Sequence, residues 1–218
     1  MRSKPAALLL ALSSHELRGP AGIIRGYLRL LLADPSLTER QRKSASDADR
    51  ATDKLVAVLD EMTEYARFVR GQQKLDRHPR SLRSIIVQAT QVVQPPVEPA
   101  VQLDVIADVD IQANVDEMRL RGGLVAILRA VCRAQTTATT VDVTLAEGGS
   151  GRRRTAIIDI APRSLSRGRH TSRTPDFSRA GLGLALPLAD AVIRAHGARL
   201  VERWSSARWA GYRIVGLR

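Results

Sequence analysis

Ser13-Ser14-His15-Glu16-Leu17-Arg18-Gly19-Pro20-Ala21-Gly22-Ile23-Ile24-Arg25-Gly26-Tyr27 is the stretch on which the reading of this 218-residue chain turns. Leu17, Ala21, Ile24, Leu28 and Leu31 recur at alternating steps of four and three, the spacing of one helix face. His15 lies two positions before Leu17, about 200° round the axis, so the spacing predicts an imidazole in solvent. Ala33-Asp34-Pro35-Ser36-Leu37 interrupts the pattern, and Ser36 with Glu39 has the form of a capping box that starts a second helix. Along that helix Ala45, Ala48, Thr52, Leu55, Leu59, Met62, Ala66 and Val69 make a heptad seam, with Arg42, Lys43, Asp47, Asp49, Arg50, Asp53 and Lys54 on the other face. Two helices joined by a short turn cannot bury both seams alone. The pattern therefore predicts an antiparallel helical hairpin over residues 1–72 that pairs with a second copy as a dimeric four-helix bundle.

The rest of the chain alternates in character. Gly71 to Pro79 reads as a linker. Helices are expected over Ser81 to Val93, Asp116 to Ala134 and Gly181 to His196, with a loop at Pro95, Pro96 and Pro99. Strands are expected at Val101 to Ile106, Asp110 to Val115, Thr139 to Leu145, Thr155 to Ile160, Leu200 to Trp204 and Tyr212 to Leu217. Residues 73–218 thus read as an α/β sandwich with helices on one face of a sheet.

Bulk properties narrow the function classes. The net charge is +12, yet aromatic residues make up only 3% of the chain, which leaves few platforms for stacking bases. Lysine occurs only at Lys4, Lys43, Lys54 and Lys74, the rest of the positive charge being arginine. An acidic protein partner accounts for this charge better than nucleic acid, and no nucleic-acid partner is expected. One cysteine, Cys132, permits no internal disulfide and falls in an apolar helical stretch, which fits a core residue and a cytoplasmic location. The apolar run Ala6 to Leu12 is far shorter than the roughly 20 residues that a membrane helix needs.

The His15-Glu16 pair and its continuation to Tyr27 closely resemble the H-box of sensor histidine kinases. The likeness extends to Gly181-Leu182-Gly183-Leu184-Ala185-Leu186 and to Ala195-His196-Gly197-Ala198, which resemble the glycine run and the following helix end of that family's ATP-binding domain. Glycines at a helix start let phosphate approach backbone amides at the positive end of the dipole. The resemblance implies a two-component signalling protein with an ATPase-type second domain, covering the chain from about Leu8 to Leu217. It casts His15 as the phosphoacceptor, Glu16 as the general base and the receiver domain of a response regulator as partner, with input expected from a separate sensor protein or from a sensor domain missing from this chain. It further implies ATP and Mg2+ held with the help of Asp159, Gly181, Leu182, Gly183 and Leu184.

Several positions depart from that pattern. The family places an asparagine on the helix before the central strands to hold Mg2+. Here the two registers of Leu124 to Ala134 offer Ala126 and Ala130 or Arg129 and Arg133, and the only asparagine in the chain is Asn114. Magnesium takes hard oxygen ligands, which neither alanine nor arginine supplies, so no metal ligand is assigned. The family's Asp-x-Gly-x-Gly motif keeps Asp159 but has Ala161 and Arg163 at the glycine positions. The following loop, with Arg163, Arg167, Arg169, Arg173 and Arg179, is expected to be solvated and mobile. Four residues after His15 the family has threonine or asparagine for dephosphorylation, and here Gly19 stands there. Two readings stay open: a dimeric kinase that phosphorylates His15 from ATP, and a relay or scaffold protein that docks a response regulator without binding ATP.

Overall fold

The computed structural model describes residues 4–149, 154–166, 171–177, 183–205 and 208–218. The chain divides into two compact units, Met1–Gln73 and Lys74–Arg218.

The first unit is a hairpin of α1 (Lys4–Leu32) and α2 (Glu39–Val69). The turn closes on Thr38 rather than Ser36. Thr38 caps the amide of Gln41, while the Gln41 side chain accepts from the Thr38 amide, a capping box two residues later than the one read from Ser36 and Glu39. Ser36 is used otherwise, its amide donating to the Asp34 carboxylate at 2.8 Å. Arg42 then reaches back to the Leu32 and Asp34 carbonyls at 2.9 Å each, satisfying acceptors that the end of α1 leaves open.

The seam of α1 also differs from the expected one. Ala7, Ser14 and Ala21, seven residues apart, are buried against α2, whose inward line is Ala45, Thr52, Leu59 and Ala66. Leu17, Ile24 and Leu31, predicted in the same seam, keep 52%, 49% and 45% of their surface exposed. The apolar stripe is wider than one partner helix covers, so a single hairpin buries its edge of small residues and leaves the large ones outside.

The second unit is a sheet with helices on one face, as predicted. Its elements are β1 (His78–Ser81), α3 (Leu82–Val92), β2 (Val101–Ile106), β3 (Gln112–Val115), α4 (Glu117–Arg133), β4 (Thr139–Gly148), β5 (Thr155–Pro162), α5 (Arg163–Ser166), β6 (Thr171–Arg173), α6 (Ala185–Ala195), β7 (Arg199–Ser205) and β8 (Arg208–Leu217). The main sheet runs β2-β4-β5-β8-β7-β6, with β2 parallel to β4 and the remaining pairs antiparallel, and β1 pairs with β3 separately. Alternate residues Val141, Val143 and Leu145, Ala156, Ile158 and Ile160, and Tyr212 and Ile214 form one core with Ile85, Ile86, Ile127, Leu186 and Ile193 of the helices. Gly123 faces Ala189, which lets α4 and α6 approach closely. Gly211 has φ +98°, and a Cβ there would lie 2.0 Å from the Ile160 carbonyl oxygen, so β8 crosses β5 only with glycine at that point.

Candidate functional site

On α1, Ser14 points inward and His15 and Glu16 point out, as the helical phase predicts. Ser14 is buried, with its hydroxyl 3.0 Å from the Ala11 carbonyl and 2.9 Å from the Thr63 hydroxyl. Thr63 in turn lies 2.9 Å from the Leu59 carbonyl. The pair ties α1 to α2 directly beneath His15, so the backbone that carries the imidazole is fixed while the ring itself is in solvent. One turn on, Arg18 reaches Asp60 of α2 at 2.5 Å and Thr63 at 3.5 Å. A further pair, Arg25 with Asp53 at 3.8 Å, continues the same side. The opposing stretch of α2 is acidic: burial pushes the Glu61 carboxyl above its ordinary range, with Glu64 adding to the effect. Sequence reasoning gave Arg18 no role. Its spacing from His15 was visible, but its partner on α2 was not.

In the second unit, Asp159 lies on the sheet face opposite the helices, out of phase with Ile158 and Ile160. Arg213 of β8, its register partner, grips it with two hydrogen bonds of 2.6 and 2.8 Å, and Arg203 lies 3.5 Å away. This bidentate pairing raises the Arg213 pKa, and burial lowers that of Arg203. Arg163, at the second glycine position of the motif, instead bridges Asp142, at 2.9 Å, and Asp104. Gly183 has φ +57° and leads through Leu184 into α6, while Gly181 and Leu182 lie outside the described residues, as do Arg167, Arg169 and Arg179. Arg173 is not part of a free loop. It belongs to β6, paired with β7, and its guanidinium sits 4.4 Å over the Trp204 ring. Buried Glu202 accepts from the Asp176 amide and from the Trp204 indole, both at 2.9 Å, pinning the segment that follows β6.

A magnesium triphosphate would need oxygen donors beside α4 and α6. The buried face of α4 is Leu120, Gly123, Leu124, Ala126, Ile127, Leu128, Ala130, Val131 and Cys132, none of which offers one. Arg129 and Arg133 are exposed. Burial pushes the Cys132 thiol up to about 11, as expected of an inert core residue. Among the described residues no group of three or more His, Cys, Asp or Glu side chains is placed to hold a metal. The buried face of α4 thus offers no oxygen donor to a magnesium ion.

His196, at the end of α6, is a structural joint. Its Nε2 accepts the Asp116 amide at 3.0 Å, so the ring proton is on Nδ1, which donates to the Val192 carbonyl at 2.8 Å. Asp116 caps α4 through the Arg119 amide and also accepts the Asp76 amide. Burial holds the His196 pKa below its ordinary 6.5.

Residues 7–71, the hairpin that presents His15, match the model of the His Kinase A (phospho-acceptor) domain. The hairpin is thus similar to the phosphoacceptor domain of histidine kinases. Two proteins to which the chain is similar are Sensor protein GacS of Pseudomonas syringae pv. syringae, 30% identical over 116 residues, and the signal transduction histidine-protein kinase BarA of Escherichia coli (strain K12), 29% identical over 115. Each match covers 51% of the present chain but only 13% and 12% of the relative, so the chain spans about an eighth of their length. Full-length ShkA, solved in complex with AMPPNP, superposes with a TM-score of 0.74 at 20% identity, over 95% of this chain and 45% of that one. The Acinetobacter baumannii histidine kinase AdeS gives 0.60 at 14% identity, over 93% and 97%. These two likenesses establish the fold of both units. No helix among the described residues is long and apolar enough to cross a membrane.

Proposed function

We propose that this histidine kinase family member carries a phosphoryl group on His15 and exchanges it with an aspartate of a response regulator receiver domain. The observation that carries the reading is an exposed imidazole on a backbone locked from beneath by Ser14 and Thr63, within a matched phosphoacceptor domain. In the exchange an imidazole nitrogen attacks phosphorus, the P–O bond to the receiver aspartate breaks, and the carboxylate leaves. Glu16 serves as the base that takes the imidazole N–H proton and returns it on the reverse transfer. Residues 1–72 act as a homodimer, since Leu17, Ile24 and Leu31 of α1 with Leu55 and Val58 of α2 leave large apolar surface that a second hairpin would cover.

Residues 73–218 retain the ATPase fold, and we assign them a scaffold role without magnesium-dependent ATP turnover. Support comes from the apolar inner face of α4 and from Asp159, whose carboxylate is already held by Arg213. Positioning and charge neutralisation provide nearly all of the catalysis in phosphoryl transfer, so loss of the metal ligand removes most of the rate. Gly183 and Leu184 would meet a nucleotide only in the competing autokinase reading, together with Gly181 and Leu182. The deciding experiment offers the full chain either γ-labelled ATP with Mg2+ or Mn2+, or a phosphorylated receiver. Acid-labile label on wild type but not on His15→Ala, obtained from the receiver alone, is the expected result. Equal labelling from ATP would overturn the scaffold assignment, and no labelling from either donor would overturn the carrier reading.

A further inference from the structure

We propose that Arg18 is the cation that holds the phosphoryl group on His15, and that in the unphosphorylated protein Asp60 occupies it in the phosphoryl group's place; this rests on the reading of His15 as phosphoryl carrier. Residues three apart on a helix are neighbours, with Cβ atoms about 5–6 Å apart, so Arg18 is within side-chain reach of the His15 ring. The register of the hairpin, Ser14 opposite Thr63 and Arg18 opposite Asp60, sets residues 60–64 against residues 14–18. The charged groups of those two stretches are Glu16, Arg18, Asp60, Glu61 and Glu64: four acids and one cation. A phosphoryl group adds up to about two negative charges to this already acidic turn. Arg18 is the group there able to meet it, and a guanidinium matches phosphate oxygens in a bidentate fork.

The resting pair is built to be exchanged. Arg18 and Asp60 side chains are 47% and 60% exposed, so their ion pair is one that solvent readily replaces. Thr63 gives the guanidinium a second anchor at 3.5 Å and joins it, through the hydroxyl of Ser14, to the backbone beneath His15. Phosphorylation would then free Asp60 on α2, one helix away from the modified residue. The chemical event on α1 would thus be reported on the other helix of the hairpin.

The test phosphorylates the full chain with phosphoramidate, which needs neither ATP nor a receiver, and follows the phosphohistidine resonance by 31P NMR as pH is varied. His15→Ala identifies the signal. A paired cation favours the dianion, so the wild-type phosphoryl group is expected to titrate about half a pH unit below that of Arg18→Ala. Arg18→Lys should restore part of the shift. Asp60→Ala, which breaks the same ion pair and so carries the same structural loss, should move the titration the opposite way from Arg18→Ala. In the double variant the Asp60 effect should largely vanish. An unchanged titration in Arg18→Ala, or an Asp60→Ala shift of the same size with and without Arg18, overturns the proposal while His15 remains a carrier. A wild-type His15 that takes no label overturns the carrier reading, and the proposal with it.

Discussion

The two units of this chain use apolar residues in opposite ways. The hairpin buries small side chains, Ala7, Ser14, Ala21, Ala45, Thr52 and Ala66 around Leu59, and leaves Leu9, Leu17, Ile23, Tyr27 and Leu30 more than half exposed. The α/β unit buries Ile85, Ile86, Leu120, Ile127, Ile158, Ile160 and Tyr212 almost completely and exposes few large side chains. One unit is closed upon itself and the other is open. The difference extends to the charged groups: the open unit carries an accessible histidine, whereas in the closed one Asp159 is an ion-pair partner within the sheet.

The comparison breaks first if the hairpin proves self-sufficient. Leu17→Ser, Ile24→Ser and Leu31→Ser combined should convert dimer to monomer in sedimentation, at about 1 kcal/mol lost per side chain in each protomer, while the α/β unit stays folded. A triple variant that sediments like wild type would mean that the exposed stripe is not an interface. Next in size, Gly211→Ala should destabilise the α/β unit by about 3 kcal/mol or more in urea unfolding, because its Cβ meets the Ile160 carbonyl and φ is unfavourable. The hairpin transition should not move. Asp116→Ala, which removes the cap of α4 and the acceptor for Asp76, should cost about 1–2 kcal/mol in the same unit. A gain is expected in the hairpin: Gly22→Ala has open space around its Cβ and should raise stability by about 0.5–1 kcal/mol.

The smallest effect is a pH dependence. His196 is neutral in the fold, with its pKa held below 6.5 by burial. Between the two values the unfolded chain binds the extra proton, so stability is fully present above about 6.5 and declines as pH falls below it. Urea midpoints of the α/β unit at pH 7.5 and 5.5 should show the fall, and His196→Gln should flatten it. An unchanged slope in that variant would assign the acid sensitivity to another group.

Reading the sequence worked best where a pattern is local. The exposure of His15, both long helices, and the order of strands and helices follow from side-chain periods of 3.6 and 2 that the backbone imposes. It failed where two local solutions compete. Ser36 with Glu39 and Thr38 with Gln41 are both capping boxes by spacing, and Arg42 favours the second by bonding the Leu32 and Asp34 carbonyls across the turn. The loop before α6 was read as mobile from its arginines, yet Arg173 stacks on Trp204 and Glu202 holds Asp176 because β6 finds the edge of β7. Such contacts join residues 26 to 33 positions apart in sequence and leave no periodic trace.

What the sequence determined by itself is the hairpin, the solvent-facing phase of His15 and the lack of a side-chain oxygen on the apolar face of α4, because each depends on residue type and helical phase alone. Which half of the α1 stripe is buried, which arginines neutralise Asp159, and that Arg18 pairs with Asp60 were decided only in three dimensions. Those outcomes depend on which distant side chain arrives within hydrogen-bond reach, and that is fixed by the packing of whole elements.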